Sequence, residues 1–110
     1  MFIKPKKMIV ANWKMNVTSQ KDAERLFLSI KNVVSKLEYT TMICCPPHMY
    51  VNQVAQHVSD KNYRVGGQDA YPEESGSRTG ETSVLMMKNA CAEYIILGHS
   101  ERRHLETKLD

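Results

Sequence analysis

The stretch MIVANWKMN, Met8 to Asn16, runs an apolar segment straight into a tryptophan flanked by an asparagine and a lysine. In an extended segment, side chains two apart share a face. Val10, Asn12 and Lys14 therefore point one way, and Ile9, Ala11 and Trp13 the other. The tryptophan face reads as core. The opposite face ends in an amide and an ammonium, and a charge turned inward needs a counter-charge or a bound anion to hold it.

Outward from that strand, short apolar runs alternate with helical periods. After Met8–Trp13, Thr18 or Ser19 offers an N-cap, with Asp22 three residues beyond Ser19. Ala23, Leu26, Phe27, Ile30, Val34 and Leu37 recur at spacings of three and four. This predicts an amphipathic helix of about five turns. Thr40–Cys45 is a second strand, ended by Pro46 and Pro47, which cannot donate to a ladder. Met49, Tyr50, Val54, Ala55 and Val58 mark a short helix, and Tyr63–Gln68 a third strand after a turn at Asp60 and Asn62. The polar segment Asp69–Gly80 is a long loop for a compact domain, and such loops are usually functional or disordered. Thr82 or Ser83 caps a helix carrying Val84, Leu85, Met87, Ala90 and Cys91. Glu93–Gly98 is a fourth strand, and a further helix begins near Ser100. Strands alternating with helices imply parallel strands joined by right-handed crossovers, so the class is α/β. Four parallel strands need cover on both faces or closure into a barrel. Three full helices and an unfinished pattern at the end predict part of a larger unit.

Composition narrows the function classes. The chain has 110 residues, enough for one small domain, and its 42% hydrophobic content makes disorder a poor overall reading. A net charge of +3, with the basic residues spread out, does not supply the dense basic face of a nucleic-acid binder. Cys44, Cys45 and Cys91 have neither zinc-ligand nor redox-pair spacing and read as small buried residues in a reducing compartment. No apolar run reaches membrane-spanning length, and the lysine-bearing N-terminus lacks a signal-peptide pattern. A cytoplasmic protein is expected, with neither nucleic acid nor membrane as partner, and no metal.

Ligands of parallel α/β folds bind beyond the carboxyl ends of the strands. The first strand delivers Asn12 and Lys14 there, the second Cys45 and the prolines, and the third Gln68 and Asp69. The fourth delivers Gly98, His99, Ser100 and Glu101. With Ser100 as the N-cap, His99 sits at the positive end of a starting helix, which favours a neutral ring able to donate a hydrogen bond to an oxygen. Glu101 suits the first helical turn and is also a candidate counter-charge for Lys14.

Together these residues closely resemble the triosephosphate isomerase family. The motifs are NWKMN at Asn12–Asn16, GGQD at Gly66–Asp69, TGE at Thr79–Glu81 and GHSERR at Gly98–Arg103, in family order and with fitting intervals. The resemblance implies the first four strands, with about three and a half helices, of a (β/α)8 barrel, residues 1–110 being the N-terminal half of a single barrel domain. It implies interconversion of dihydroxyacetone phosphate and D-glyceraldehyde 3-phosphate through an enediol(ate), in glycolysis and gluconeogenesis, with no cofactor. It assigns His99 and Lys14 as catalytic, His99 polarising the substrate oxygens and Lys14 stabilising anionic charge. Asn12 joins Lys14 in binding substrate. Ser100 and Glu101 support them from behind, Glu101 by pairing with Lys14. Thr79, Gly80 and Glu81 would enter a neighbouring subunit of a homodimer. A neutral histidine at a helix N-terminus is an established feature of that family, so the reading of His99 is not independent of the resemblance.

The chain departs from the family pattern at Asp69, where asparagine is common, and at Ser77, where alanine is common. It also departs in LETKLD at 105–110, where an aromatic-containing segment is usual. The family's proton-transferring glutamate, its lid and its later phosphate-binding loops come from later strands, so these residues alone are expected to be inactive. Two open edge strands predict poor stability and aggregation for the chain made alone. The competing reading is a non-catalytic phosphate-binding or protein-interaction half barrel. A Rossmann-like nucleotide binder is disfavoured because NWKMNVTS stands where a Gly-rich phosphate loop belongs.

Overall fold

The computed structural model describes residues 6–103. Strand β1 (Lys7–Asn12) leads to helix α1 (Gln20–Val34), β2 (Thr40–Cys45) to α2 (His48–Ala55), β3 (Tyr63–Gly67) to α3 (Val84–Asn89), and β4 (Tyr94–Ile95) follows. Residues 100–103 are again helical. The four strands form one parallel sheet in the order β1-β2-β3-β4. The register sets Asn12 beside Cys45 and Gly67 beside Ile95. All the strands therefore present their carboxyl ends on one rim, where Asn12, Cys45 and Gly67 stand side by side. No helix among the described residues is long and apolar enough to cross a membrane.

Alternation separates the two faces of the sheet. Ala11, Trp13, Met42, Cys44, Tyr63 and Val65 join the core, against Ala23, Phe27 and Val34 of α1, Val51 and Val54 of α2, and Met87 of α3. Its centre is the Tyr63 ring stacked on Phe27, with centroids 4.2 Å apart. Burial of a phenol demands partners for its hydroxyl. Tyr63 Oη donates to the Phe27 carbonyl at 3.0 Å and accepts from Cys44 Sγ at 3.2 Å. Burial pushes the Tyr63 and Cys44 ionisations upward, so both groups stay neutral. On the inner face, Met8, Val10, Asn12, Ile43, Cys45, Ile96 and His99 line a largely apolar hollow of about 550 Å³.

Several boundaries differ from the sequence reading, and Cys91, expected to be buried on the third helix, is exposed because α3 ends before it, at Asn89. Ser19 is the N-cap of α1, accepting from the Asp22 N–H, but the helix ends at Val34 rather than Leu37. Asn62 stops it there, its Nδ2 donating to the carbonyls of Val34 at 2.8 Å and Leu37 at 3.1 Å. Leu37, at the expected last apolar position, is exposed. The fourth strand is two residues long, not the six of Glu93–Gly98, although the Ile96 N–H still reaches the Gly67 carbonyl at 2.9 Å. β4 pairs with a described strand on one side only, so nothing among the described residues fixes its further length. The third strand stops at Gly67, leaving Gln68 free to turn its side chain into the rim. The segment LETKLD lies outside the described residues.

Two glycines let the sheet close up at β3. A Cβ on Gly66 would lie 2.9 Å from the Tyr94 backbone oxygen and 3.0 Å from Cys45 Sγ. A Cβ on Gly67 would meet the terminal methyl of Met87 at 2.6 Å, the flexible end of its side chain. Gly66→Ala is therefore expected to destabilise by about 1–3 kcal/mol, and Gly67→Ala by less, because the Met87 end can swing away. Urea midpoints at constant slope measure the order, and a Gly67→Ala cost larger than that of Gly66→Ala would contradict it.

Candidate active site

The lysine reaches the rim through a turn. β1 ends at Asn12, the Trp13 N–H donates to the Cys45 carbonyl at 3.1 Å, and Lys14 takes the left-handed conformation with φ of 57°. For a residue with a Cβ this conformation costs about 1–2 kcal/mol, so neighbouring groups must hold it. They grip both sides of the residue. Asn12 Oδ1 accepts from the Lys14 N–H at 2.9 Å, and Gln68 Nε2 donates to the Lys14 carbonyl at 2.7 Å and to the Cys45 carbonyl at 2.9 Å. Strand alternation, extended through Lys14 in the sequence reading, stops at Asn12. The direction of the ammonium is set by this turn.

His99 is itself the helix cap, and this corrects the assignment of that role to Ser100. Ser100 is the first helical residue and is exposed. His99 Nδ1 accepts from the Glu101 N–H at 3.1 Å, as a cap side chain does for the open N–H groups of a first turn. An acceptor nitrogen carries no proton, so the ring is neutral with its hydrogen on Nε2. Glu101 Oε1 stands 3.5 Å from the same Nδ1, but with that lone pair engaged the contact is not an ion pair. The carboxylate's charged partner is Lys14 Nζ, at 3.3 Å. Both side chains of that pair are more than half exposed, so it contributes at most about 1 kcal/mol and serves mainly to place the ammonium.

A second cluster braces the His99 turn. Arg102 Nε lies 3.1 Å from Asp69 Oδ2, and its Nη2 donates to Glu81 Oε1 at 3.0 Å. Arg102 belongs to the same turn, its N–H donating to the His99 carbonyl at 3.0 Å. Beside it, half-buried His48 shares a 3.2 Å hydrogen bond between its Nδ1 and Thr82 Oγ1. Burial lowers its pKa, Asp69 and Glu81 pull it back up, and Arg102 pushes it down. The sequence reading singled out neither His48 nor Arg102 for the site. The signal for His48 was present, a polar residue directly after the prolines that end β2.

These groups line one cleft of about 320 Å³ at the carboxyl rim, with Asn12, Lys14, Gln68, His99 and Glu101 on its walls. Gly80 and Glu81 line it as well, whereas Thr79 is exposed and lies outside it. Among the described residues, no group of three or more His, Cys, Asp or Glu side chains could hold a metal ion. The cleft can offer a cation, a neutral N–H donor and an amide to a small anion, within the size range of small-molecule sites.

A parallel α/β sheet with a polar cleft at its carboxyl rim is the arrangement of the (β/α)8-barrel class, whose sites lie at that end of the strands. The family model for triosephosphate isomerase matches residues 7–110. The triosephosphate isomerase of Alkaliphilus oremlandii is 42% identical over 105 residues, covering 96% of this chain and 42% of the relative. That of Buchnera aphidicola is 39% identical over 103 residues, covering 93% and 40%. The crystal structure of triosephosphate isomerase from Bartonella henselae superposes with a TM-score of 0.79 at 30% identity, covering 94% of this chain and 42% of that one. The chain belongs to the triosephosphate isomerase family, and its four strands are the N-terminal half of a (β/α)8 barrel. It spans about two fifths of the length of the relatives it matches.

Gln68→Ala leaves two rim carbonyls without their shared donor and frees the Lys14 turn. It is expected to cost about 1–3 kcal/mol by chemical denaturation and to raise amide exchange at Met15 and Asn16 selectively. Uniform exchange with an unchanged midpoint would remove Gln68 from this role.

Proposed function

We propose that these residues form one half of the active site of an enzyme that interconverts dihydroxyacetone phosphate and D-glyceraldehyde 3-phosphate. The observation that carries this reading is the convergence of Lys14, Asn12 and His99, whose Nδ1 is engaged by its own turn, on one cleft. In this reaction a proton leaves one carbon and returns to its neighbour, and negative charge builds on the oxygens of an enediolate between the two steps. Stabilising that charge needs a donor that gives a hydrogen bond without surrendering its proton too early, and a fixed cation. His99 Nε2–H supplies the first. Lys14 Nζ supplies the second, aimed by Glu101. Asn12 uses its Oδ1 on the Lys14 N–H, which leaves its amide hydrogens for the substrate.

The carboxylate that moves the proton comes in this family from a later strand, outside the 110 residues, so the chain alone is inactive on this reading. Residues 1–110 are then the first half of a single barrel domain of a glycolytic, cytoplasmic enzyme. A homodimer fits the same proposal. The segment before α3 holds Thr79 outward while Glu81 anchors its base to Arg102. Met15, on the Lys14 turn, is 91% exposed, and Met49 on α2 is 76% exposed. Covered by a second subunit, these side chains would brace the lysine turn from outside.

Assaying triose phosphate interconversion by the chain alone, and by a version extended with four further strand–helix units of a relative, tests the proposal. The short chain is expected to give none, and the extended one to turn over. Lys14→Ala and His99→Gln should each lower kcat in the extended protein by about 100-fold or more. Strong activity from the short chain would overturn the division of the site. Ligand or partner binding unaffected by both substitutions, with no turnover, would favour the non-catalytic half barrel instead.

A further inference from the structure

We propose that His48 is a positioning residue for the His99 turn: while neutral it leaves Asp69 and Glu81 to Arg102, and its protonation draws them away. Three elements meet at this ring. Asp69 follows β3, Glu81 and Thr82 precede α3, and Arg102 lies on the turn after β4. His48 opens α2 directly after the buried Pro46 and the adjoining Pro47, so its backbone is held in place from the β2 side. Its ring is hydrogen-bonded to Thr82 Oγ1 and to the backbone of Asp69. The charged groups that face it are Asp69, Glu81 and Arg102. Lys14 and Glu101, paired with each other, complete the walls of the same cleft.

Charge counting makes the ring consequential. Around neutral His48 there are two carboxylates and one guanidinium, and Arg102 engages both carboxylates. A protonated His48 becomes a second cation within the cluster, repelled by Arg102 and competing for the same two carboxylates. Both ring nitrogens of imidazolium are donors, so the Thr82 hydroxyl must then accept from Nδ1. Arg102 is then released from one side of its clamp, and its turn carries His99 and Glu101. Because burial lowers the His48 pKa, the release occurs below the ordinary histidine range and is absent at neutral pH. The sign for stability is the same. The unfolded chain takes up the proton first, so stability falls as pH drops below the unfolded value of about 6.5.

The importance of this device for catalysis rests on the isomerase reading above, but the coupling can be measured without turnover. The imidazole resonances of His48 and the side-chain Nε–H resonance of Arg102 are followed in the extended protein from about pH 8 to about pH 5. The Arg102 resonance is expected to move toward its solvent-exposed position with the midpoint of His48. The movement should vanish in His48→Gln and persist in His99→Gln, which removes the other ring of the rim. In the unmutated chain, agreement of the two midpoints is a test that depends on no variant. A stationary Arg102 resonance, a movement lost in His99→Gln, or equal movement in His48→Gln would overturn the proposal. Lack of isomerase activity in the extended protein, with the coupling present, would count against the function and leave the latch standing.

Discussion

The site depends on one unfavourable backbone conformation. Lys14 occupies a left-handed φ that its side chain disfavours, and two amide side chains hold it there, one at its N–H and one at its carbonyl. Those amides come from different strands, Asn12 closing β1 and Gln68 following β3. The Gln68 donor also engages Cys45 at the end of β2. Three strand ends are thus tied through a single residue. The parallel register that sets Asn12 beside Cys45 brings these groups within reach, and the close approach at Gly66 keeps β3 near its neighbours. The fold positions the ammonium by locking the backbone beneath it, which spares a long flexible side chain much of its conformational search.

The two histidines of the rim illustrate how local hydrogen bonding sets chemical character. His99 gives its Nδ1 lone pair to the turn it caps, so its remaining ring nitrogen, Nε2, is the donor. His48 sits among two carboxylates and a guanidinium, half removed from water, where a proton would redistribute the ion pairs. One ring spends its Nδ1 on the backbone of its own turn, and the other stands among charges that a proton would rearrange. They communicate through Arg102, which shares a helical turn with His99 and a charge cluster with His48.

Much of the fold was legible because apolar periodicity is a direct imprint of burial. Thr40–Cys45 matched its strand end to end, and Ser19 and Ser83 each cap the helix that follows them. The failures have local causes. Leu37 continues the helical period, but Asn62, distant in sequence, captures the Val34 carbonyl at the end of α1 and the Leu37 carbonyl beyond it. Alternation extends the strand through Lys14 because it cannot register a positive φ at a residue other than glycine. Ser100 was the expected cap by residue type, yet His99 took that role because its ring folds back onto the Glu101 N–H. His48 and Arg102 were missed because a cluster drawn from α2, the segment before α3 and the turn after β4 has no sequence spacing of its own. The family motifs supplied what periodicity could not, namely which polar strand ends belong to one chemistry.

The account turns on His99 being a neutral ring that caps with Nδ1 and donates with Nε2. Long-range proton–nitrogen NMR spectra of the imidazole, recorded at about pH 8 where a free histidine is neutral, measure this tautomer directly. The account predicts an unprotonated Nδ1 and a proton on Nε2, with Nδ1 coupled to the Glu101 amide hydrogen. A proton on Nδ1, or a ring sampling both tautomers as a free histidine does, would contradict it.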